Sequence, residues 1–218
     1  MQFRDRKQAG RELAERLRTL HEKGILPHPV VLALPRGGAA VAREVAHVLD
    51  APLDVLVVRK IGAPFQEELG VGAIAGDDPP LFDERALDRL GLSEAALAGT
   101  VEREREEVRR REQRYRRGRP ALDLRGRTVI VVDDGLATGA TARAALRRVR
   151  RESPGRVVLA VPVCSPEAVA LLRGEADDVV CLHRPEQFMA VGLWYENFDQ
   201  LTDDEVLDAL HASHTTPG

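Results

Sequence analysis

The chain has very little lysine. Lys7, Lys23 and Lys60 are its lysines, while Lys+Arg total 32, so positive charge is carried almost wholly by arginine. Asp+Glu total 35 and the formal net charge is -3, which removes any global electrostatic case for nucleic acid. Cysteine is scarcer still. Cys164 and Cys181 form no CxxC pair, and each lies in or at the end of an apolar run. They read as small buried hydrophobes rather than as metal or redox groups. The six histidines show no HxH or HExxH spacing, so no zinc site is indicated. No apolar stretch approaches the ~20 residues of a membrane helix. The opening MQFRDRKQAGRELAERL is charged from its start and carries no secretory signal. A cytoplasmic protein with no membrane partner is expected.

What is present is a regular alternation in a globular composition of 44% hydrophobic and 31% charged residues. Residues 4–22 place Leu13, Leu17 and Leu20 at helical spacing, and Pro27 and Pro29 close that segment. VVLAL (30–34), DVLVV (54–58), TVIVV (128–132), RVVLAVPV (156–163) and DVVCL (178–182) are continuous apolar runs that suit strands buried on both faces. VGAIA (71–75) reads as a further short strand, whereas the Gly-, Pro- and Glu-rich 59–70 reads as irregular. Helical patterns cover 39–49, 83–90, 141–150, 165–174 and 202–210. Ser93 is placed as the N-cap of a long helix reaching about Arg117, with a narrow apolar stripe of Leu97, Val101, Val108 and Tyr115. Glu106/Arg110 and Glu107/Arg111 stand at i,i+4 on it, worth about 0.3 kcal/mol each. Glutamates interleave the arginines, which suits a solvated face and argues against a nucleic-acid arm. Fully apolar strands alternating with helices predict an α/β fold with an open, mainly parallel sheet covered on both faces.

The densest chemistry is VIVVDDGLATGAT (129–141). A buried strand ends in two carboxylates, and a Gly/Thr-rich turn follows into a helix. Ligands of open α/β sheets bind at the carboxyl ends of strands, where N–H groups at a helix N-terminus attract anions. Thr138 and Thr141 add hydroxyl donors. The nucleotide P-loop is excluded, because GxxxxGK[ST] is absent and no lysine lies here. GVGAIAG (70–76) lacks the glycine spacing of the dinucleotide fingerprint, and strand packing explains it better. Ionised carboxylates accept hydrogen bonds only, so beside a phosphate they suit neighbouring hydroxyls. The two halves together read as a ribose 5-phosphate site.

This stretch resembles the phosphoribosyl-diphosphate (PRPP) signature of the type I phosphoribosyltransferases: an apolar strand, two acids, two variable residues, then A-T-G-x-T. The resemblance covers residues 30–182. It implies that Asp133 and Asp134 hold the ribose hydroxyls, while Gly135, Ala137, Thr138, Gly139, Ala140 and Thr141 cradle the 5-phosphate. LPRGG (34–38) stands where the family binds pyrophosphate. Arg36, Gly37 and Gly38 are assigned there, with Arg36–Gly37 as the expected non-proline cis peptide. Arg59 and Lys60 stand where the family places basic residues at the start of a mobile lid. Residues 1–182 would then form the core, with lid and helical insertion over about 59–118, and 183–218 a hood or tail. The N-terminal helix joins that hood as an option, and Phe188, Trp194 and Tyr195 are its candidate base-stacking rings. The plain alternative is that these rings anchor the tail to the core.

The activity implied is transfer of ribose 5-phosphate from PRPP to a small nitrogenous base with release of pyrophosphate. Mg²⁺ would assist, meeting Asp133 and Asp134 through water. Arg36, Lys60, Asp133 and Asp134 would carry the catalysis. Hypoxanthine–guanine members carry an acidic base where Ala137 stands, so that route is disfavoured. The Ala-Thr-Gly run is more similar to the adenine and uracil enzymes. Glu67 and Glu68 are the lid's candidate bases. The insertion serves either lid support or a subunit contact, as in a homodimer. A PRPP-binding regulator or an inactive member is the alternative from another class, although no DNA-binding module is visible.

Overall fold

The computed structural model describes residues 2–212, so the end of the expected tail, 213–218, lies outside the described residues. The first half runs α1 (Arg6–Glu22), β1 (Pro29–Ala33), α2 (Gly37–Leu49), β2 (Leu53–Val55), β3 (Val58–Ala63), β4 (Gln66–Ala75) and β5 (Leu81–Phe82). Then come α3 (Glu84–Leu90), α4 (Ala98–Arg116), β6 (Thr128–Val132), α5 (Ala140–Arg151) and β7 (Arg156–Val163). α6 (Pro166–Leu172), β8 (Asp178–His183) and α7 (Asp203–Ala212) complete the order.

β2-β1-β6-β7-β8 form one five-stranded sheet, and every neighbouring pair is parallel. β1 and β6 are buried at every position, which is why their sequences read as unbroken apolar runs. Alternate residues serve opposite faces. Val31, Ala33, Ile130, Val132, Val158 and Ala160 join a core with Leu13, Leu17, Val41, Val45 and Leu207 from α1, α2 and α7. Val30, Leu32, Val129, Val131, Val157 and Leu159 join the other, with Ala142, Ala145 and Leu146 from α5 and Leu172 from α6.

The chain leaves β1 toward β2 at one edge and returns to β1's other side as β6. That reversal places the loops after β1 and β6 side by side, in the crevice where open α/β sheets bind ligands.

The segment expected to be irregular is ordered as a hairpin. β3 and β4 pair antiparallel, and β5 extends them into a three-stranded sheet. The expected strand over 54–58 is therefore divided: β2 closes the main sheet and Val58 opens the hairpin. Composition misled here because the ladder is irregular, with register shifts around Gly62. A Cβ at Gly62 would overlap the Glu67 carbonyl oxygen, so glycine permits the strands to close. Gly72 does likewise at β5, where a Cβ would lie 2.8 Å from the Leu81 carbonyl oxygen.

Ser93 caps a 3-10 turn over Ala95–Leu97, accepting from Ala96 N at 3.2 Å, and α4 follows from it. The stripe of Leu97, Val101, Val108 and Tyr115 is buried as expected. Glu107 takes both Arg111 at 2.6 Å and Arg110 at 2.7 Å, so Arg110 pairs at i,i−3 rather than with Glu106. Two arginine hydrogen bonds hold the Glu107 carboxyl down at about 2, although burial opposes them.

The two ends of the described chain pair with each other. Phe3 N donates to the Trp194 carbonyl, Glu196 N to Phe3 and Asn197 N to Arg4, each at 2.8 Å. Thr202 and Glu205 form a capping box that starts α7: Glu205 N donates to Thr202 Oγ1 at 3.2 Å and Thr202 N to Glu205 Oε2 at 2.7 Å.

Candidate functional site

The site is laid down by two strand ends. Ala33 pairs with Val132, and Leu34 N continues the ladder to the Val132 carbonyl at 2.9 Å. Beyond it the β1 loop turns across the β6 loop so closely that only glycine fits. A Cβ on Gly38 would stand 2.7 Å from the Val132 carbonyl oxygen and 3.1 Å from Asp133 Cα. A Cβ on Gly37 would overlap Asp134 Oδ2. The pair GG thus exists for close approach to the acids. The cis peptide lies between Pro35 and Arg36, one bond earlier than expected.

Asp133 and Asp134 follow β6 directly. Asp133 Oδ1 accepts from Asp134 N at 2.8 Å. Asp134 Oδ2 receives Arg6 Nε at 2.7 Å, and both side chains are nearly buried. Arg6 also donates to the Asp199 carbonyl at 2.8 Å, and its guanidinium lies 3.9 Å above the Phe198 ring. Tyr195 donates its hydroxyl to the Asp134 carbonyl. Burial pushes the Asp133 carboxyl well above its ordinary range, and the Asp134 charge adds to that. Burial also raises Asp134, but the Arg6 guanidinium pulls it back.

The anion loop is held from behind. Leu136 N donates to Val163 at 3.0 Å and Ser165 N to Leu136 at 2.9 Å, while the Ser165 hydroxyl bonds the Ala137 carbonyl. Ala137 and Thr138 are exposed, and Gly139 takes φ +79 as the residue before α5. Among the described residues, no acceptor faces the N–H groups of Ala137, Thr138 or Gly139. Such groups at a helix start are donors for an outside anion. Ala140 and Thr141 open the helix, half-buried beside them.

The other expected residues scatter more. Arg36 donates to the Leu201 carbonyl at 3.0 Å and approaches Asp203 at 3.9 Å, so its guanidinium faces the tail. Asp203 also accepts from Tyr115 at 2.6 Å, a bond that lowers the Asp203 carboxyl. Burial, joined by that bond, lifts the Tyr115 phenol to about 12. Arg59 pairs with Glu104 on α4 at 2.7 Å. Lys60 is exposed and has no partner among the described residues. It pairs across the ladder with Ala73, whose face of the hairpin packs with Ala144 of α5. Glu67 and Glu68 are exposed near the hairpin tip.

Tyr195 is buried with Phe3 and stacked on Phe198 at 5.0 Å, so both its contacts and its hydroxyl anchor the tail. Trp194 is half-buried and stacked on His183 at 6.0 Å, and Phe188 is half-buried. Nothing in the sequence pattern marks Arg6, since Arg4, Arg6 and Lys7 look alike in a charged helix start. Ser165 reads from sequence only as a cap. Among the described residues, no group of three or more His, Cys, Asp or Glu is placed to hold a metal ion. No helix among them is long and apolar enough to cross a membrane.

Two Mycobacterium tuberculosis proteins, from strains CDC 1551 and H37Rv, are each 49% identical over 212 residues and are named as candidate phosphoribosyl transferases. The match takes in 97% of this chain but 47% of theirs, so the chain spans about half the length of these curated relatives. A crystal structure from Thermus thermophilus superposes with TM-score 0.79 and 47% identity, covering 96% of this chain and 98% of that one. A Neisseria gonorrhoeae protein solved with bound ppGpp gives TM-score 0.52 at 19% identity, covering 97% and 98%, a likeness of fold alone. The phosphoribosyl transferase domain model matches residues 2–196, which take in the acid pair, the anion loop and the glycine crossing. The chain belongs to the phosphoribosyl transferase domain family.

Proposed function

We propose that this chain transfers ribose 5-phosphate from PRPP to a small nitrogenous base, releasing pyrophosphate. The observation that carries this reading is the juxtaposition at the end of β6. Two acids stand beside open backbone donors, and both face the glycine crossing after β1. A phosphate on the N–H groups of 137–139 leaves the sugar hydroxyls within reach of the carboxylates.

The protein's contribution is positioning and charge compensation. Asp133 and Asp134 accept from the ribose hydroxyls. Thr138 and Thr141 add hydroxyl donors to the phosphate. Gly37 and Gly38 let the diphosphate approach the backbone. Lys60, exposed and without a side-chain partner among the described residues, would meet the leaving pyrophosphate. Arg36 and Arg59 would join only after exchanging Leu201, Asp203 and Glu104 for ligand oxygens. The half-buried Trp194 and Phe188 remain the stacking candidates for the base.

The donor set fits Mg²⁺ in one respect. It offers two adjacent carboxylates, as suits an ion that keeps its waters and binds substrate phosphates. Asp133 and Asp134 would hold it through water, and it would supply charge neutralisation for the diphosphate.

Binding without transfer is a second reading. It is favoured by the pairing of Arg36 and Arg59 with intramolecular acceptors. A screen of purine and pyrimidine bases with PRPP and Mg²⁺, read by pyrophosphate release, separates the two. Release with one base supports transfer. Calorimetric PRPP binding with no release from any base supports the second reading. No binding at all would remove both.

A further inference from the structure

The sequence alone reads Cys164 and Cys181, seventeen positions apart, as small buried hydrophobes rather than as redox groups. The fold brings them together. Cys181 lies in β8, and Cys164 directly follows the end of the neighbouring β7. Both are free thiols, and their sulfurs are in contact at 2.8 Å. Cys181 Sγ also donates to the His183 carbonyl at 3.1 Å. Cys164 is fully buried and Cys181 is half-buried.

The position is not neutral for the site. Cys164 forms a parallel bridge with Leu136, within the anion loop. Its neighbours Val163 and Ser165 make the bonds that fix Leu136 and Ala137. On the other side, Cys164 N donates to the His183 carbonyl at 3.1 Å, and the His183 ring stacks on Trp194 of the hood. The two cysteines therefore stand between the loop that holds an anion and the segment that covers it.

We propose that Cys164 and Cys181 form a reversible thiol–disulfide site, and that its oxidation changes the grip of the 135–141 loop on its anion. The first clause stands by itself, and the second rests on the ribose-phosphate reading of that loop. The oxidant is a hydroperoxide. One of the two sulfurs attacks a peroxide oxygen, the O–O bond breaks, and with hydrogen peroxide one water leaves, giving a sulfenic acid. The other sulfur then attacks the oxidised sulfur, and a second water leaves as the S–S bond forms. Two thiols and one hydrogen peroxide thus become one disulfide and two waters. Hydrogen bonding with Cys181 lowers the Cys164 thiol from its ordinary range, which favours its thiolate. The same contact, with burial, raises the Cys181 thiol. The nearby Arg184 guanidinium favours the thiolate at both sulfurs.

The test uses the full chain treated with hydrogen peroxide and then denatured for thiol counting and peptide mapping. Loss of both thiols, an intramolecular Cys164–Cys181 peptide and recovery with dithiothreitol are expected. Cys181→Ser and Cys164→Ser, each checked for folding, should form no such peptide. Two countable thiols after treatment, separate sulfinic acids or a link between molecules would each overturn the site. PRPP affinity is then measured by calorimetry on the reduced and oxidised forms, with a change of about fivefold expected. Equal affinity would overturn the coupling and leave the disulfide standing. If PRPP binds neither form, the ribose-phosphate reading and the coupling fail together, while the thiol result still decides the first clause.

Discussion

Replacing Arg6 by glutamine tests how the acid pair is tolerated in the fold. Arg6 makes three contacts with the site and hood at once: a 2.7 Å ion pair to Asp134, a bond to the Asp199 carbonyl and a stack on Phe198. Its side chain is 10% exposed and that of Asp134 14%, so water replaces little of the lost pairing. Breaking a buried pair by removing one partner costs about 3–5 kcal/mol, because the other charge stays behind. Here the remaining carboxyl can take up a proton and be held in neutral form. The expected loss is therefore pH-dependent. Both acids have folded-state values raised above their unfolded ones. Groups of that kind favour the fold fully below the unfolded value, and the benefit disappears as pH rises through the folded one. Losing Arg6 raises Asp134 further and widens that window upward. Urea unfolding of Arg6→Gln should show a deficit of about 3 kcal/mol at pH 8, with a markedly smaller deficit at pH 5. In an Asp134→Asn background the same substitution should cost far less, by double-mutant cycle. An equal deficit at both pH values, or in both backgrounds, would refute the account.

Four further outcomes are expected. Gly38→Ala drives a Cβ against the Val132 carbonyl and should cost about 1–3 kcal/mol in urea unfolding. Gly37→Ala drives a Cβ onto Asp134 Oδ2, the oxygen that takes Arg6, and to 3.1 Å from Arg6 Nε, so both PRPP affinity by calorimetry and stability by urea unfolding should fall. Asp133→Asn with Asp134→Asn should weaken PRPP binding by tenfold or more, about 1.4 kcal/mol; unchanged affinity would remove the ribose assignment. Lys60→Ala should slow pyrophosphate release while leaving the thermal midpoint almost unmoved, since its side chain is exposed and unpaired among the described residues.

The sheet was legible because its strands are buried on both faces, and that condition writes itself as VVLAL or TVIVV. The turn that leads into α5 was legible for a related reason. Its open N–H groups belong to the backbone, so the sequence must supply Gly139 and the small residues around it, and these show. Arg6 was not legible, because its role depends on a contact with Asp134 across 128 positions that no local pattern encodes. The hairpin was hidden by Gly62 and Gly70, whose lack of side chains looks like loop and serves a close ladder at Gly62. Arg36 and Arg59 were placed by resemblance, and resemblance gives position in the chain but not the direction of a guanidinium. The glycine crossing lay between these cases. GG was placed by resemblance in a pyrophosphate loop, and only the folded chain shows Val132 and Asp134 packed against it.

The pairing of residues 3 and 4 with 194–197 also orders events in time. Residues 3 and 4 leave the ribosome before 194–197, with the whole five-stranded sheet emerging between them. β1, β6 and β7 can associate, and the acid pair can take its place, while Arg6 still waits for the Asp199 carbonyl and the Phe198 ring, 193 residues away in the case of Asp199. A chain at that point would have its sheet assembled and its acids only partly compensated. Contacts of such long separation close late and slowly. Pulse-labelling hydrogen exchange during refolding would register this as protection of the Ile130 and Val131 amides ahead of those of Phe3 and Glu196.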